Sequence, residues 1–218
     1  YTAVDKAEAD MENARFINAV ATGFLSGAAR NQGAGFVHIS TDYVFDGNHF
    51  RPYSEEDPVN PKAIYGKTKL EGEERCMAEN PESVIIRTSW LYSSFGNNFV
   101  KTMLRVGKER DEVNVVFDQV GTPTFAGDLA QAIMTIAGKF AEKRSSLIPG
   151  IYHYSNEGVI SWFDFAHTIF EISGIKCPVN PIFSKVLNQP APRPPFSVLD
   201  TSKIKNTFEL EIPYWKES

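Results

Sequence analysis

Apolar positions recur along this chain in blocks that switch between two spacings. In 11–31, MENARFINAVATGFLSGAARN, residues Phe16, Ile17, Val20, Phe24 and Leu25 fall at helical spacing and predict a helix. The short apolar run GFVHIST (35–41), opened by a glycine, predicts a buried strand. The segment 46–61 is polar, with a glycine and several prolines, and reads as a loop. Asn60-Pro61 then predicts a helix start, with asparagine as cap and proline in the first turn. That helix is expected to run to about Asn80, before Pro81 stops it. SVIIRTS (83–89) predicts a second buried strand.

The same alternation continues. Phe99, Val100, Met103 and Leu104 share one face of a helix expected over 97–110, and 112–118 reads as a strand. The segment 126–143 is strongly amphipathic, with Leu129, Ile133, Ile136, Ala137 and Phe140 expected inward. A strand over 150–155 comes next, then a helix capped by Ser161 and closed by Gly174. From 175 the chain is proline-rich, with NQPAPRPP at 188–195, and a short helix is expected near 201–208. Strands that alternate with helices predict an α/β fold with a mostly parallel sheet covered on both faces. The last third, poorer in strands and richer in proline, predicts a small second lobe.

Composition narrows the function classes. With 218 residues, 42% hydrophobic and 22% charged, the chain is globular. A net charge of −5 argues against sequence-blind nucleic-acid binding, which needs a basic face. Cys76 and Cys177 lie far apart without C-x-x-C spacing, and His38, His49, His153 and His167 are scattered, so no metal site is expected. No apolar run reaches membrane-spanning length. The opening YTAVDKAEAD is not a signal peptide and reads like the middle of a protein, so an N-terminal segment is expected to be absent.

Candidate chemistry sits in IYGKTKL, 64–70. Tyr65 and Lys69 are four residues apart and share a helix face, while Lys67 points elsewhere. Ser40, Thr41, Asp42 and Tyr43 lie where the first strand runs out, and ligands of open α/β sheets bind beyond the carboxyl ends of the strands. A threonine, a tyrosine and a lysine together suit carbonyl reduction, in which a hydride adds to carbon and the oxygen becomes an alkoxide. Thr41 is expected to donate a hydrogen bond to that oxygen. Tyr65 is expected to be the general acid. A free phenol titrates near ~10, and the Lys69 ammonium is expected to lower that value by favouring phenolate. Trp90, at the end of the next strand, is expected to face the same crevice.

Taken in order, YTAVDKAE, HISTDYVFDG, NPKAIYGKTKLEGE, IIRTSWLY and DQVGTPTFAGDLA resemble the dTDP-4-dehydrorhamnose reductase family of extended short-chain dehydrogenases/reductases. The similarity covers essentially the whole chain. It implies a partial Rossmann-like parallel sheet over 1–155, the C-terminal part of a dinucleotide-binding domain, and a small sugar-nucleotide-binding lobe over 156–218. By position, Thr41, Tyr65 and Lys69 match the family's catalytic residues. Thr41, Asp42 and Trp90 match substrate contacts, and Arg193 resembles a contact to the nucleotide diphosphate. Tyr1, Thr2 and Ile39 match cofactor contacts, with Tyr65 and Lys69 also expected at the nicotinamide ribose.

The resemblance implies a cytoplasmic enzyme. It would use NADPH or NADH to reduce the 4-keto group of dTDP-4-dehydro-L-rhamnose to dTDP-L-rhamnose. The implied partner is the dTDP-sugar, with neither nucleic acid nor membrane, and a homodimer is known for some members. The resemblance extends to a non-catalytic regulatory subunit of methionine adenosyltransferase and to other sugar-nucleotide reductases and epimerases, so those readings stay open. One departure is large: no G-x-G-x-x-G precedes the first strand. By the size of a βαβ unit, roughly sixty residues are expected to be missing. The 218 residues alone are then expected to bind cofactor weakly and not to turn over.

Overall fold

The computed structural model describes residues 1–142 and 148–218. Helices α1 (Val4–Ala7) and α2 (Met11–Arg15) lead through a π-bulge at Phe16–Val20 into α3 (Ala21–Asn31). Strand β1 (Val37–Thr41) is followed by a tight turn at Asp42–Val44, then α4 (Ile64–Glu79) and β2 (Val84–Thr88). Next come β3 (Leu91–Tyr92), α5 (Phe99–Glu109), β4 (Val113–Val116), β5 (Val120–Gly121) and β6 (Thr124–Phe125). The chain continues with α6 (Ala126–Glu142), β7 (Gly150–His153), β8 (Ile160–Ser161), α7 (Trp162–Ser173), β9 (Val179–Ile182) and α8 (Ser202–Phe208). Residue 143, expected to end α6, lies outside the described residues.

The sheet that positions the site is parallel, in the order β1-β2-β7. Its register sets Ser40 beside Arg87 and Arg87 beside His153. Side chains alternate between faces along each strand. Val37, Ile39, Val84, Ile86 and Tyr152 pack with Leu129, Ile136, Ile204 and Phe208, so α6 and α8 cover one face. His38, Ser40 and Arg87 therefore look the other way, toward α4. A second core joins Met103, Val106, Val113, Val115, Phe165, Phe170 and Trp215, binding α5, β4 and α7. There β4 pairs in parallel with β9, a strand not expected from the sequence.

Several local expectations are corrected. The helix after the polar loop begins at Ile64, not at Asn60-Pro61. Asn60 is held elsewhere, its side chain donating to Asp46. The exposed first turn is instead capped from a distance: Ile64 N–H donates to Glu8 Oε1 at 2.8 Å. In α2–α3 the helix is present, but Phe16, Ile17, Phe24 and Leu25 are 59, 48, 72 and 61% exposed. The buried face is made of small residues, among them Ala14, Ala19, Gly23 and Ser26, which let α3 lie close against α4. Close backbone approach needs small side chains, so the bulky residues turn outward. In α6, Leu129 and Ile136 are buried as expected while Ala137 is exposed. Among the described residues no helix is long and apolar enough to cross a membrane.

Candidate active site

The carboxyl ends of β1 and β2 open onto a cleft of about 570 Å³. Ile39, Thr41, Asp42, Tyr65, Lys69 and Trp90 line it, together with Thr2, Thr88, Asn97 and Trp162. The extended strand β1 carries Thr41 to the cleft, and the turn after it buries Asp42. Helix α4 brings Tyr65 and Lys69 from the opposite side. Its approach is close: a Cβ on Gly66 would overlap the Tyr43 carbonyl oxygen, and one on Gly72 would overlap that of Asn18. Glycine at both positions is what lets the helix lie that near.

Thr41 stands at the centre of the polar contacts. Its hydroxyl donates to Asp42 Oδ1 at 3.0 Å and accepts from the Tyr43 N–H at 3.2 Å. The Tyr65 phenol lines the same cleft, near enough for the Thr41 hydroxyl to influence its titration. The Tyr65 ring packs edge-on against Tyr43, centroids 5.4 Å apart. In this arrangement the Thr41 hydroxyl proton points to Asp42.

The phenol of Tyr65 is pushed up to about 12, chiefly by burial, against a lowering hydrogen bond from Thr41 and with the Asp42 charge raising it further. This corrects the expectation of a phenol made acidic by Lys69. The ammonium is turned away: Lys69 Nζ donates to the Ile39 carbonyl at 2.5 Å and lies 3.3 Å from His38 Nε2. Burial lowers Lys69 to about 8, opposed by the nearby Glu73 carboxylate. Burial, then the Lys69 charge, holds His38 down at about 3, so its ring is neutral. Asp42 is raised to about 6 by burial, opposed by hydrogen bonds from Ser197 and Thr41.

Trp90 forms an aromatic wall. Its indole stacks on Trp162, centroids 3.7 Å apart, and its backbone has φ 46°, a left-handed conformation uncommon outside glycine. Gly121 lies beneath it, where an added Cβ would come within 2.7 Å of the indole. The sequence pattern did not single out Trp162 or Asn97. Trp162 opens a helix and reads there as one more apolar residue, and Asn97 reads as loop.

The remaining expected residues divide. Thr2 and Ile39 line the cleft, while Tyr1 is bonded through its backbone nitrogen to Asn18 and through its hydroxyl to Asp10. Arg193 is not among the lining residues. Its guanidinium forks onto Asp5 at 2.6 and 2.7 Å and donates to the Ala191 carbonyl, tying the C-terminal segment to α1. The cleft fits the nicotinamide end of a dinucleotide: the Lys69 ammonium offers donors beyond the one given to Ile39, and Thr2 and Ile39 form an adjoining wall. The chain supplies no glycine-rich turn for a pyrophosphate.

The profile of the family described as RmlD substrate binding domain matches residues 1–218. A dTDP-4-dehydrorhamnose reductase of Sinorhizobium fredii is 45% identical over 222 residues, covering 100% of this chain and 75% of that protein. The crystal structure of a dTDP-4-dehydrorhamnose reductase from Clostridium acetobutylicum superposes with a TM-score of 0.92 at 45% identity, covering 100% of this chain and 75% of the other. That of the Bacillus anthracis enzyme, in complex with NADP, gives a TM-score of 0.92 at 40% identity with the same coverage. The chain spans about three quarters of the length of these relatives and belongs to their family, the RmlD-type dTDP-4-dehydrorhamnose reductases.

Proposed function

We propose that this protein reduces the 4-keto group of dTDP-4-dehydro-L-rhamnose to dTDP-L-rhamnose with NADPH or NADH, and that Tyr65 is the general acid. The observation that carries this reading is the meeting of Tyr65 and Thr41, from different elements, in one cleft walled by Trp90. The dinucleotide, when bound, supplies the hydride.

A nascent sugar alkoxide is more basic than a phenolate, so a phenol near 12 is fully protonated at neutral pH and still gives its proton up to such an oxygen. The high value therefore favours a proton donor over a base. Thr41, tied to Asp42, stands beside the Tyr65 hydroxyl in the cleft, so both hydroxyls meet a substrate oxygen bound there. Lys69, held by the Ile39 carbonyl, turns its ammonium away from the phenol and offers its remaining donors to the nicotinamide ribose. Trp90 offers an aromatic face to the sugar ring. Thr2 and Ile39 contact the dinucleotide. In the smaller lobe, Arg193 reaches the diphosphate only by leaving Asp5.

The experiment, on the full-length protein, is nicotinamide oxidation, followed by its absorbance, with dTDP-4-dehydro-L-rhamnose as substrate, in wild type and in Tyr65→Phe. Turnover in the wild type, lost by about two orders of magnitude or more in Tyr65→Phe, supports the reading. Equal rates in the two proteins overturn the role of Tyr65. Reduction of a UDP- or GDP-linked keto sugar in preference to the dTDP-linked one overturns the substrate.

A further inference from the structure

Between the sheet and α4 the filling is charged, where apolar side chains are usual. Glu73 lies about two turns beyond Tyr65 on α4. Its carboxylate accepts from the Ser40 hydroxyl, from Arg87 Nε at 3.0 Å and from Arg87 Nη2 at 2.7 Å. Glu73 and Arg87 are each 2% exposed and Ser40 3%. Ser40 precedes Thr41, and Arg87 precedes Thr88, and both threonines line the cleft. One carboxylate thereby joins the helix bearing Tyr65 and Lys69 to the two strand ends that form the cleft floor.

We propose that Glu73 is a positioning residue for the reductase reaction: locked between Ser40 and Arg87, it fixes α4, and with it Tyr65 and Lys69, against β1 and β2. Buried ion pairs stabilise little in net, since desolvation offsets their attraction, but a buried charge held by several hydrogen bonds defines one geometry. Here the geometry defined is the distance between Tyr65 and Thr41. The groups facing Lys69 are Tyr65 and Glu73 on its own helix, His38 on β1 and Asp42 in the turn after β1. Arg87 on β2 is paired with Glu73. Glu73 is the group whose charge raises Lys69 against the lowering effect of burial. The kinetic arm of the proposal rests on the reductase reading, whereas its titration arm does not.

The test compares Glu73→Gln with Ser40→Ala. Side-chain NMR of isotope-labelled lysines, on protein without substrate, follows the titration of Lys69. In Glu73→Gln, Lys69 is expected to titrate about one unit or more below its wild-type value. In the same variant turnover is expected to fall about tenfold or more, with its alkaline decline moved to lower pH. In Ser40→Ala, where the charge stays and one tether is lost, Lys69 titrates as in wild type while turnover drops. Should Glu73→Gln not fold, the double variant Glu73→Gln with Arg87→Met removes both buried charges, and the Lys69 shift is read there. An unshifted Lys69 in a folded Glu73 variant overturns the electrostatic role. Undiminished turnover in both single variants overturns the positioning role. A full-length wild type that reduces no keto sugar sinks the reductase reading and leaves the Lys69 titration to decide the electrostatic half alone.

Discussion

The indole of Trp90 lies flat on that of Trp162, centroids 3.7 Å apart and planes 13° from parallel. Trp90 ends the run that extends β2, and Trp162 begins α7, so the stack joins the sheet to the second core. It also holds Trp90 in its left-handed backbone conformation, which costs free energy for a bulky residue unless its surroundings enforce it.

Removing the support releases the wall. Trp162→Ala is expected to raise the KM for the dTDP-sugar roughly three- to tenfold, the equivalent of the ~0.5–1.5 kcal/mol of a good aromatic pair. Trp162→Phe retains a ring against Trp90 and Phe99 and is expected to recover most of the loss. Steady-state kinetics with quenching of tryptophan emission by the dTDP-sugar checks both. An unchanged KM in Trp162→Ala means that the stack does not shape the sugar site.

Much of this fold was legible because local pattern and tertiary environment agree. The runs 35–41 and 83–89 form strands of the sheet, the second buried throughout and the first half-buried up to Ile39, and Ser161 and Gly174 bound α7 as their chemistry demands. The illegible parts depend on distant partners. Strand β9 is VNPI, whose proline reads as a breaker, and it forms because β4 offers a parallel neighbour far away in sequence. The outward turn of Phe16 and Phe24 comes from small residues on the other side of the same helix. In the site, the Tyr65–Lys69 spacing was visible, yet the direction of the Tyr65 shift was not. Spacing places a cation nearby but says nothing of burial, nor of the Ile39 carbonyl that claims the ammonium.

Lys69 is expected to set an alkaline limit. Its ammonium loses its proton near pH 8, well below the ordinary lysine range, because it is buried. Turnover should decline as pH rises through that value, since the neutral amine no longer offers a charged donor to the nicotinamide ribose. Lys69→Arg keeps a charge at every accessible pH, so the decline should vanish, although the planar guanidinium fits the Ile39 carbonyl less well and overall turnover falls. The pH dependence of kcat in the two proteins is the check, and a decline that persists unchanged in Lys69→Arg assigns it to another group.

The glycines of α4 and α6 make a contrasting pair. Gly66→Ala drives a Cβ into the Tyr43 carbonyl, so α4 must shift away from the strand end. A loss of roughly 1–3 kcal/mol in stability is expected, with a larger proportional loss of turnover because Tyr65 is the adjacent residue. Gly138→Ala, in the exposed interior of α6, meets nothing within 4 Å. It should stabilise by about 0.5–1 kcal/mol through helix propensity. Urea unfolding read alongside activity separates the two, and equal effects at both positions contradict the close-approach argument.

Asp42 gives the fold a pH dependence opposite to that of most carboxylates. Burial raises it to about 6 in the folded chain, against roughly 3.9 in the unfolded one. The folded state then holds the proton more tightly. Its contribution to stability is complete below about pH 4 and is lost as pH rises through about 6, because ionisation inside the protein must proceed without water. Asn at this position keeps an oxygen for Thr41 and carries no charge. Asp42→Asn should therefore match the wild type near about pH 4 and exceed it by up to about 3 kcal/mol at neutral pH, on the order of two pKa units of linkage. Denaturant midpoints of the two proteins across that range decide it. A stability gap already open at the acid end and constant thereafter means that the carboxylate is ionised throughout, with Ser197 and Thr41 outweighing its burial. Asp42 would then serve the cleft as a permanent negative charge beside Tyr65.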